Sequence, residues 1–191
     1  MSHCIDVFLM KIEDIWNYYN CETFLVDSDG GEWGIPTHDL YVDNMDNNYK
    51  MIKNKIHNLY RQKINEIVHE ITLQNGSKIN MTKQHKLLIN CEDYGYIWKN
   101  NLKVGDSVCV PNNSDMEYSQ IKGIREYNHN GYVYDLEIEN HHNYVVNGMI
   151  THNTCAGISM AERFKPMVQK YGTKIYVLVS GPIIKENWKD E

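Results

Sequence analysis

With 191 residues, 42% hydrophobic and 11% aromatic, the chain can hold one medium domain, or a small domain plus a fragment, and is too apolar to remain disordered. The formal net charge of −6 argues against a dedicated nucleic-acid binder, which presents a basic face, and no stretch approaches the roughly 20 apolar residues of a membrane span. Its five cysteines (Cys4, Cys21, Cys91, Cys109 and Cys155) are scattered without a CxxC pair, against a zinc ribbon or thioredoxin-like motif and in keeping with free thiols in a reducing, cytoplasmic setting. In chain order, residues 8–19 set Leu9, Ile12, Ile15 and Trp16 at helical spacing and predict an amphipathic helix. Residues 20–48 are turn-rich, with Gly30-Gly31, Gly34 and Pro36. The basic stretch 49–65 places Ile52, Ile56 and Tyr60 on one face and fits a second helix.

From Val68 the period becomes two. Val68 to Leu73 reads as a strand, Asn75-Gly76 as a tight turn, and Lys78 to Thr82 as the returning strand. Lys86 to Ile89 is a short apolar run, and Leu102 to Pro111 reads as a strand pair around Gly105-Asp106. Gln120 to Tyr127 and Tyr132 to Glu139 alternate as two further strands. Tyr144 to Val146 and Met149 to Thr151 flank Asn147-Gly148 as a second hairpin with the same turn chemistry. Many short strands with turns every few residues predict a compact all-β domain. After residue 153 the character changes. Thr154 to Met167 reads as a helix and Lys174 to Ser180 as a buried-type strand, an α/β pattern that stops too soon to fold alone. Two regions are therefore expected, 1–153 and 154–191.

Three segments carry a family resemblance. Residues 131–153 (GYVYDLEIENHHNYVVNGMITHN) resemble the C-terminal splicing motifs of inteins in the Val-Tyr-Asp-Leu strand, the His-Asn-Tyr-Val-Val turn-in and the closing His-Asn. Residues 75–85 resemble the internal intein motif that ends in Thr-x-x-His, and Leu102 to Asp106 looks like the strand leading into Gly-Asp in the Hint (hedgehog/intein) fold. The likeness is good over 66–153 and weak over 4–65. It implies a horseshoe-like all-β Hint domain without an endonuclease insert, which is the splicing element, followed by the start of its host protein.

The resemblance also implies roles. Thr82 and His85 would bond the scissile amide, with His85 protonating the departing nitrogen. Thr154 would attack the resulting ester and become the branch point, assisted by Asp135. Asn153 would then cyclise onto its own carbonyl, with His152 polarising that carbonyl and His142 assisting. Each role has a plainer alternative at the level of single residues. Thr-x-x-His is commonly a turn with a surface histidine, Asp135 an ordinary solvent-facing strand residue, and His141-His142 lack a third metal ligand at usual spacing. No metal or cofactor is expected. A His-Asn pair closing an apolar strand where the fold class changes has no good structural explanation.

The first nucleophile is less defined. Lys11-Ile12-Glu13-Asp14-Ile15 resembles a later element of the first intein motif, yet it follows Cys4 without room for the usual intervening hairpin. Either Cys4 is the nucleophile of a shortened element, or the chain is the C-terminal part of a split intein whose short N-terminal partner carries the cysteine. The Met-Ser-His start favours the second. Cys21 is a weaker third candidate. After the junction, Thr-Cys-Ala-Gly-Ile-Ser-Met resembles the continuation of a Gly-Lys phosphate-binding loop, and 175–191 the next motif, of a superfamily 2 helicase-like NTPase, whose Mg²⁺ Thr154 would later ligate. The competing readings are a fragment of a nucleic-acid-dependent ATPase without splicing activity, which the missing Gly-Lys disfavours, and a hedgehog-like autoprocessing domain, which needs no terminal His-Asn. The expected partners are the flanking exteins and that short fragment; neither a membrane nor direct nucleic-acid binding is expected.

Overall fold

A computed structural model describes residues 9–27, 29–112 and 115–152 of the chain. They all belong to the first of two units, Met1–Thr154, the second being Cys155–Glu191. The described residues form one short helix and eleven strands. Among them no helix is long and apolar enough to cross a membrane.

Helix α1 (Ile12–Tyr19) is shorter than the predicted span. Glu13 and Asp14 in its first turn complement the helix dipole, while Leu9 falls before it and is fully exposed. Its buried residue is Trp16. The turn-rich reading of 20–48 gives way to three strands, β1 (Asn20–Val26), β2 (Gly31–Pro36) and β3 (Tyr41–Met45). Asp27 closes the β1–β2 hairpin: its Oδ1 accepts from the Gly31 amide at 2.7 Å, and its Oδ2 from the Trp33 indole at 3.3 Å. A Cβ on Gly31 would lie 2.4 Å from the Asp27 carboxylate and the Tyr60 hydroxyl, so any larger residue here would have to displace both side chains.

The expected second helix over 49–65 is instead the first part of β4 (Met51–Leu73). Ile52, Ile56 and Tyr60 are four apart, a spacing that fits one helix face and equally one strand face, because four is a multiple of two. Strand partners on both sides decide the matter: β2 and β3 pair with this stretch, as does β9 (Asp115–Ile138). The two alternating runs expected at 120–127 and 132–139 are likewise one continuous strand, β9. It pairs antiparallel with β4 from Ile56↔Ile138 to Leu73↔Ile121. The hairpin of β4 with β5 (Lys78–Thr82) is as expected, with Gly76 at φ +91°. Beyond it come β6 (Leu87–Cys91), β7 (Gly95–Lys99) and β8 (Ser107–Asn112). Residues 102–106 are a turn before β8, not a strand, because Asp106 Oδ2 accepts from the Lys103 amide and Gly105 lies at φ +94°.

The last two strands, β10 (Asn143–Val146) and β11 (Met149–His152), form the predicted hairpin. Asn147 and Gly148 both take positive φ, 49° and 76°, as a type I′ turn demands. Three apolar cores meet at this hairpin. Met149 joins a cluster with Leu73, Leu87 and Ile121, Tyr144 one with Trp16, Leu59 and Leu136, and Ile150 one with Met45, Leu88 and Cys109. These three residues are at most 2% exposed, and each contributes roughly 1.5–3 kcal/mol by burial. The end of β11 is thereby held from three sides.

Candidate active site at the end of the last strand

The backbone of β11 is fixed first. Asn143 lies opposite His152 and Tyr144 opposite Thr151 across the hairpin. On its other side β11 meets β6 at Thr151↔Leu87, and the His152 amide donates to the Lys86 carbonyl at 3.0 Å. Alternation then sorts the side chains. Ile150 and His152 share one face; Met149 and Thr151 share the other. Thr151 is fully buried, and its hydroxyl donates to the Tyr144 carbonyl at 3.1 Å.

His152 therefore faces Trp98, which β7 sets opposite Leu88 of β6. The two rings meet edge to face, with centroids 4.9 Å apart and planes at 77°. Both line a cleft of about 220 Å³ with Asn47 and residues 140–143. Burial lowers the His152 pKa to about 4, and the charges of Lys86, His142 and His85 add to the effect. Its imidazole is uncharged at neutral pH and can accept or donate a hydrogen bond.

The Thr82–His85 turn arrives at the same place. Thr82 ends β5 opposite Val68, and the His85 amide donates back to the Thr82 carbonyl at 3.2 Å. Lys86, whose carbonyl holds His152, follows at once. Among the described residues neither the Thr82 hydroxyl nor the His85 ring is hydrogen-bonded. His142 is exposed at the rim of the cleft. His141 is held aside: Asn54 Nδ2 donates to its Nδ1 at 2.8 Å.

Asp135 is not the solvent-facing residue that its place in an alternating strand allowed. It is 7% exposed, and its Oδ1 accepts from the Tyr144 hydroxyl at 2.5 Å and from the Leu136 amide at 2.8 Å. Tyr144 thus connects Asp135 to Thr151, the neighbour of His152. Thr82, His85, Asp135, His142 and His152 are therefore carried by segments that converge on one end of the β10–β11 hairpin. Cys4, Asn153 and Thr154 lie outside the described residues.

Four contributing residues have no role of their own in the sequence. Lys86 opens a short apolar run, Trp98 is not singled out, and Tyr144 belongs to the His-Asn-Tyr-Val-Val segment without a stated task. Asn143, of that same segment, is the fourth. Buried at 7% exposure, it accepts from the Met45 amide at 2.7 Å and donates to the Met45 carbonyl at 2.9 Å, acting as one more backbone unit beside β3. Only the pairing across about a hundred positions gives it that role. Among the described residues no three His, Cys, Asp or Glu side chains are grouped as metal ligands.

The family model of the intein splicing domain matches residues 5–115 and 110–153. Among solved structures the chain is similar to the mini-intein of Mvu transcription factor IIB, at TM-score 0.60 and 26% identity over 74% of this chain and 86% of that one. The TvoVMA intein aligns at TM-score 0.66 and 21% identity, over 76% and 89%. A DnaB intein from Synechocystis aligns at TM-score 0.57 and 19% identity, over 75% and 85%. A DNA polymerase of Thermococcus aggregans is 30% identical over 119 residues, which is 61% of this chain and 6% of that protein. A putative ATP-dependent RNA helicase of Acanthamoeba polyphaga mimivirus is 60% identical over 38 residues, 20% of this chain and 3% of that protein. The chain thus spans a small fraction of the length of these two relatives.

Proposed function

The chain belongs to the intein splicing-domain family, whose members excise themselves autocatalytically and join the flanking segments, and from that premise we propose how its residues divide the work. Splicing exchanges a resonance-stabilised amide for an ester that other groups can reach. A cysteine thiol attacks the carbonyl before it, with Thr82 and His85 bonding the strained amide and His85 giving its proton to the departing nitrogen. The Thr154 hydroxyl attacks the thioester carbonyl and the thiol leaves, with Asp135 taking up the hydroxyl proton. The Asn153 side-chain nitrogen then attacks its own backbone carbonyl. The bond to Thr154 breaks, a succinimide stays on the excised element, and the freed amine of Thr154 takes the acyl group from its own oxygen. His152 polarises the Asn153 carbonyl, and His142 moves the proton from the attacking nitrogen towards the departing amine.

One observation carries this reading: an uncharged His152, backbone-locked between β10 and the Lys86 carbonyl, at the end of the strand that leads into Asn153. A charged imidazole would draw water into this buried seat and loosen the strand end, and a frayed strand end could not hold the attacking geometry. We assign residues 1–153 to the splicing element and 154–191 to the downstream host. The host is a helicase-like NTPase interrupted in its phosphate-binding loop. The 60% identity to a putative helicase extends over 38 residues, the same length as the tail (191 − 153 = 38), and supports that assignment. Seven residues separate Cys4 from Ile12 at the start of α1 (12 − 4 − 1), few for a hairpin, which supports a first thiol carried on a short N-terminal fragment. The half-buried Cys91 and buried Cys109, both free thiols, suit a reducing compartment.

The test weighs the products. Incubated alone, the purified chain should release peptide 154–191 and leave an element ending in a C-terminal succinimide. Asn153→Ala should lower that release by at least about a thousandfold. Release that persists in the variant removes Asn153 cyclisation from the mechanism. Ligation that appears only when an N-terminal fragment is added establishes the trans reaction.

A further inference from the structure

We propose that Trp98 is a positioning residue for the cleavage after Asn153, its ring acting as the dry wall that keeps the His152 imidazole uncharged and fixed in the cleft. The proposal rests on the cyclisation reading above and adds a residue to it. Trp98 stands opposite Leu88 in the β6–β7 pair and packs against the cluster of Met45, Leu88, Cys109 and Ile150. One side of the indole is thus anchored in a core whose members are at most 6% exposed. Its other side meets the His152 ring at 4.9 Å, nearly perpendicular. An indole packed against imidazole removes water from one side of the ring, which disfavours the charged form. The face of an indole also attracts a cation, worth roughly 0.5–2 kcal/mol, so the sign needs a decision. Taking a charged imidazole out of water costs several kcal/mol, more than such an attraction returns, so desolvation decides the sign.

The charged and titratable neighbours are few. Lys86 and His85 approach from the lead into β6, and His142 and His141 from the lead into β10. β7 itself brings Lys99, whose ammonium is taken by both oxygens of Asp106 at 2.8 Å. None of these shields the ring from water as an anchored indole does.

The experiment follows the ring and the reaction separately. His152 is titrated by NMR in an Asn153→Ala background, with Trp98, Trp98→Phe and Trp98→Leu. The midpoint should rise from about 4 towards the ordinary 6.5, further in the leucine than in the phenylalanine variant. With Asn153 restored, the leucine variant should release peptide 154–191 about tenfold more slowly than the parent at pH 5.5, and within about threefold of it at pH 8. Phenylalanine and leucine both keep apolar bulk against the core, and urea unfolding identifies which variants are folded. A midpoint unmoved in a folded variant, or a rate lowered equally at both pH values, makes Trp98 merely structural and overturns the proposal. Because the titration needs no reaction, failure of the cyclisation reading would show itself apart from this, as release that ignores Asn153→Ala.

Discussion

Two buried asparagines, Asn143 and Asn44, mark the difference between the C-terminal and N-terminal halves of the element. Asn143, at the start of β10, uses its whole amide: it takes the Met45 amide proton and returns one to the Met45 carbonyl. Asn44, the residue just before Met45, is fully buried, and among the described residues neither its Nδ2 nor its Oδ1 has a partner. The same side chain is thus a brace on one strand and an uncompensated cost on the next. Beside His152 the buried side chains of Asn143, Asp135 and Thr151 are each hydrogen-bonded, while β3 carries an amide that folding desolvates for no return.

The comparison can be broken most sharply at Asn143. Asn143→Leu should cost about 2–4 kcal/mol in urea unfolding, because two buried backbone groups of Met45 lose their partners together. A loss below about 1 kcal/mol would mean that the brace is replaceable by water. Next comes pH. His152 resists protonation when folded and accepts it readily when unfolded, so its contribution is fully present above pH 6.5 and lost as pH falls towards 4. In the Asn153→Ala background, stability should drop over that window by at most about 3 kcal/mol, and His152→Gln should flatten the drop. An unchanged slope in that variant would transfer the effect to another group. The smallest effect carries the opposite sign. Asn44→Leu should leave stability unchanged or raise it by about 1 kcal/mol, since removing an unpaired amide restores nothing to water and costs no bond. A clear loss would reveal a partner for Asn44 and end the contrast.

Local signals account for what could be foreseen. Gly76, Asn147 and Gly148 take positive φ, and both hairpins are readable from their Asn-Gly dipeptides. The His-Asn end stands out because a polar pair has no packing reason to close the strand Met149–His152. Where pattern is ambiguous, distance decides. Ile52, Ile56 and Tyr60 satisfy a helix and a strand equally, and only pairing with β2, β3 and β9 resolves them; on β9 the partner of Tyr60 is Asp135. The burial of Asp135 escapes an alternation argument for the same reason, since the Tyr144 hydroxyl that engages it arrives from another hairpin. Trp98 and Asn143 act through neighbours that only the register of β6, β7 and β10 supplies.

The β4–β9 ribbon has a consequence for timing. Its pairs join residues between 48 positions apart (Leu73 and Ile121, 121 − 73) and 82 apart (Ile56 and Ile138, 138 − 56). Contacts of such long sequence separation close slowly, and their entropy must be met before the strands gain anything from pairing. During synthesis β4 waits for β9, and the seat of His152 needs Lys86 and Asn143, which lie 57 positions apart (143 − 86). The order of translation therefore works as a clock: the chain cannot cut itself until nearly everything upstream of the junction has been made and folded.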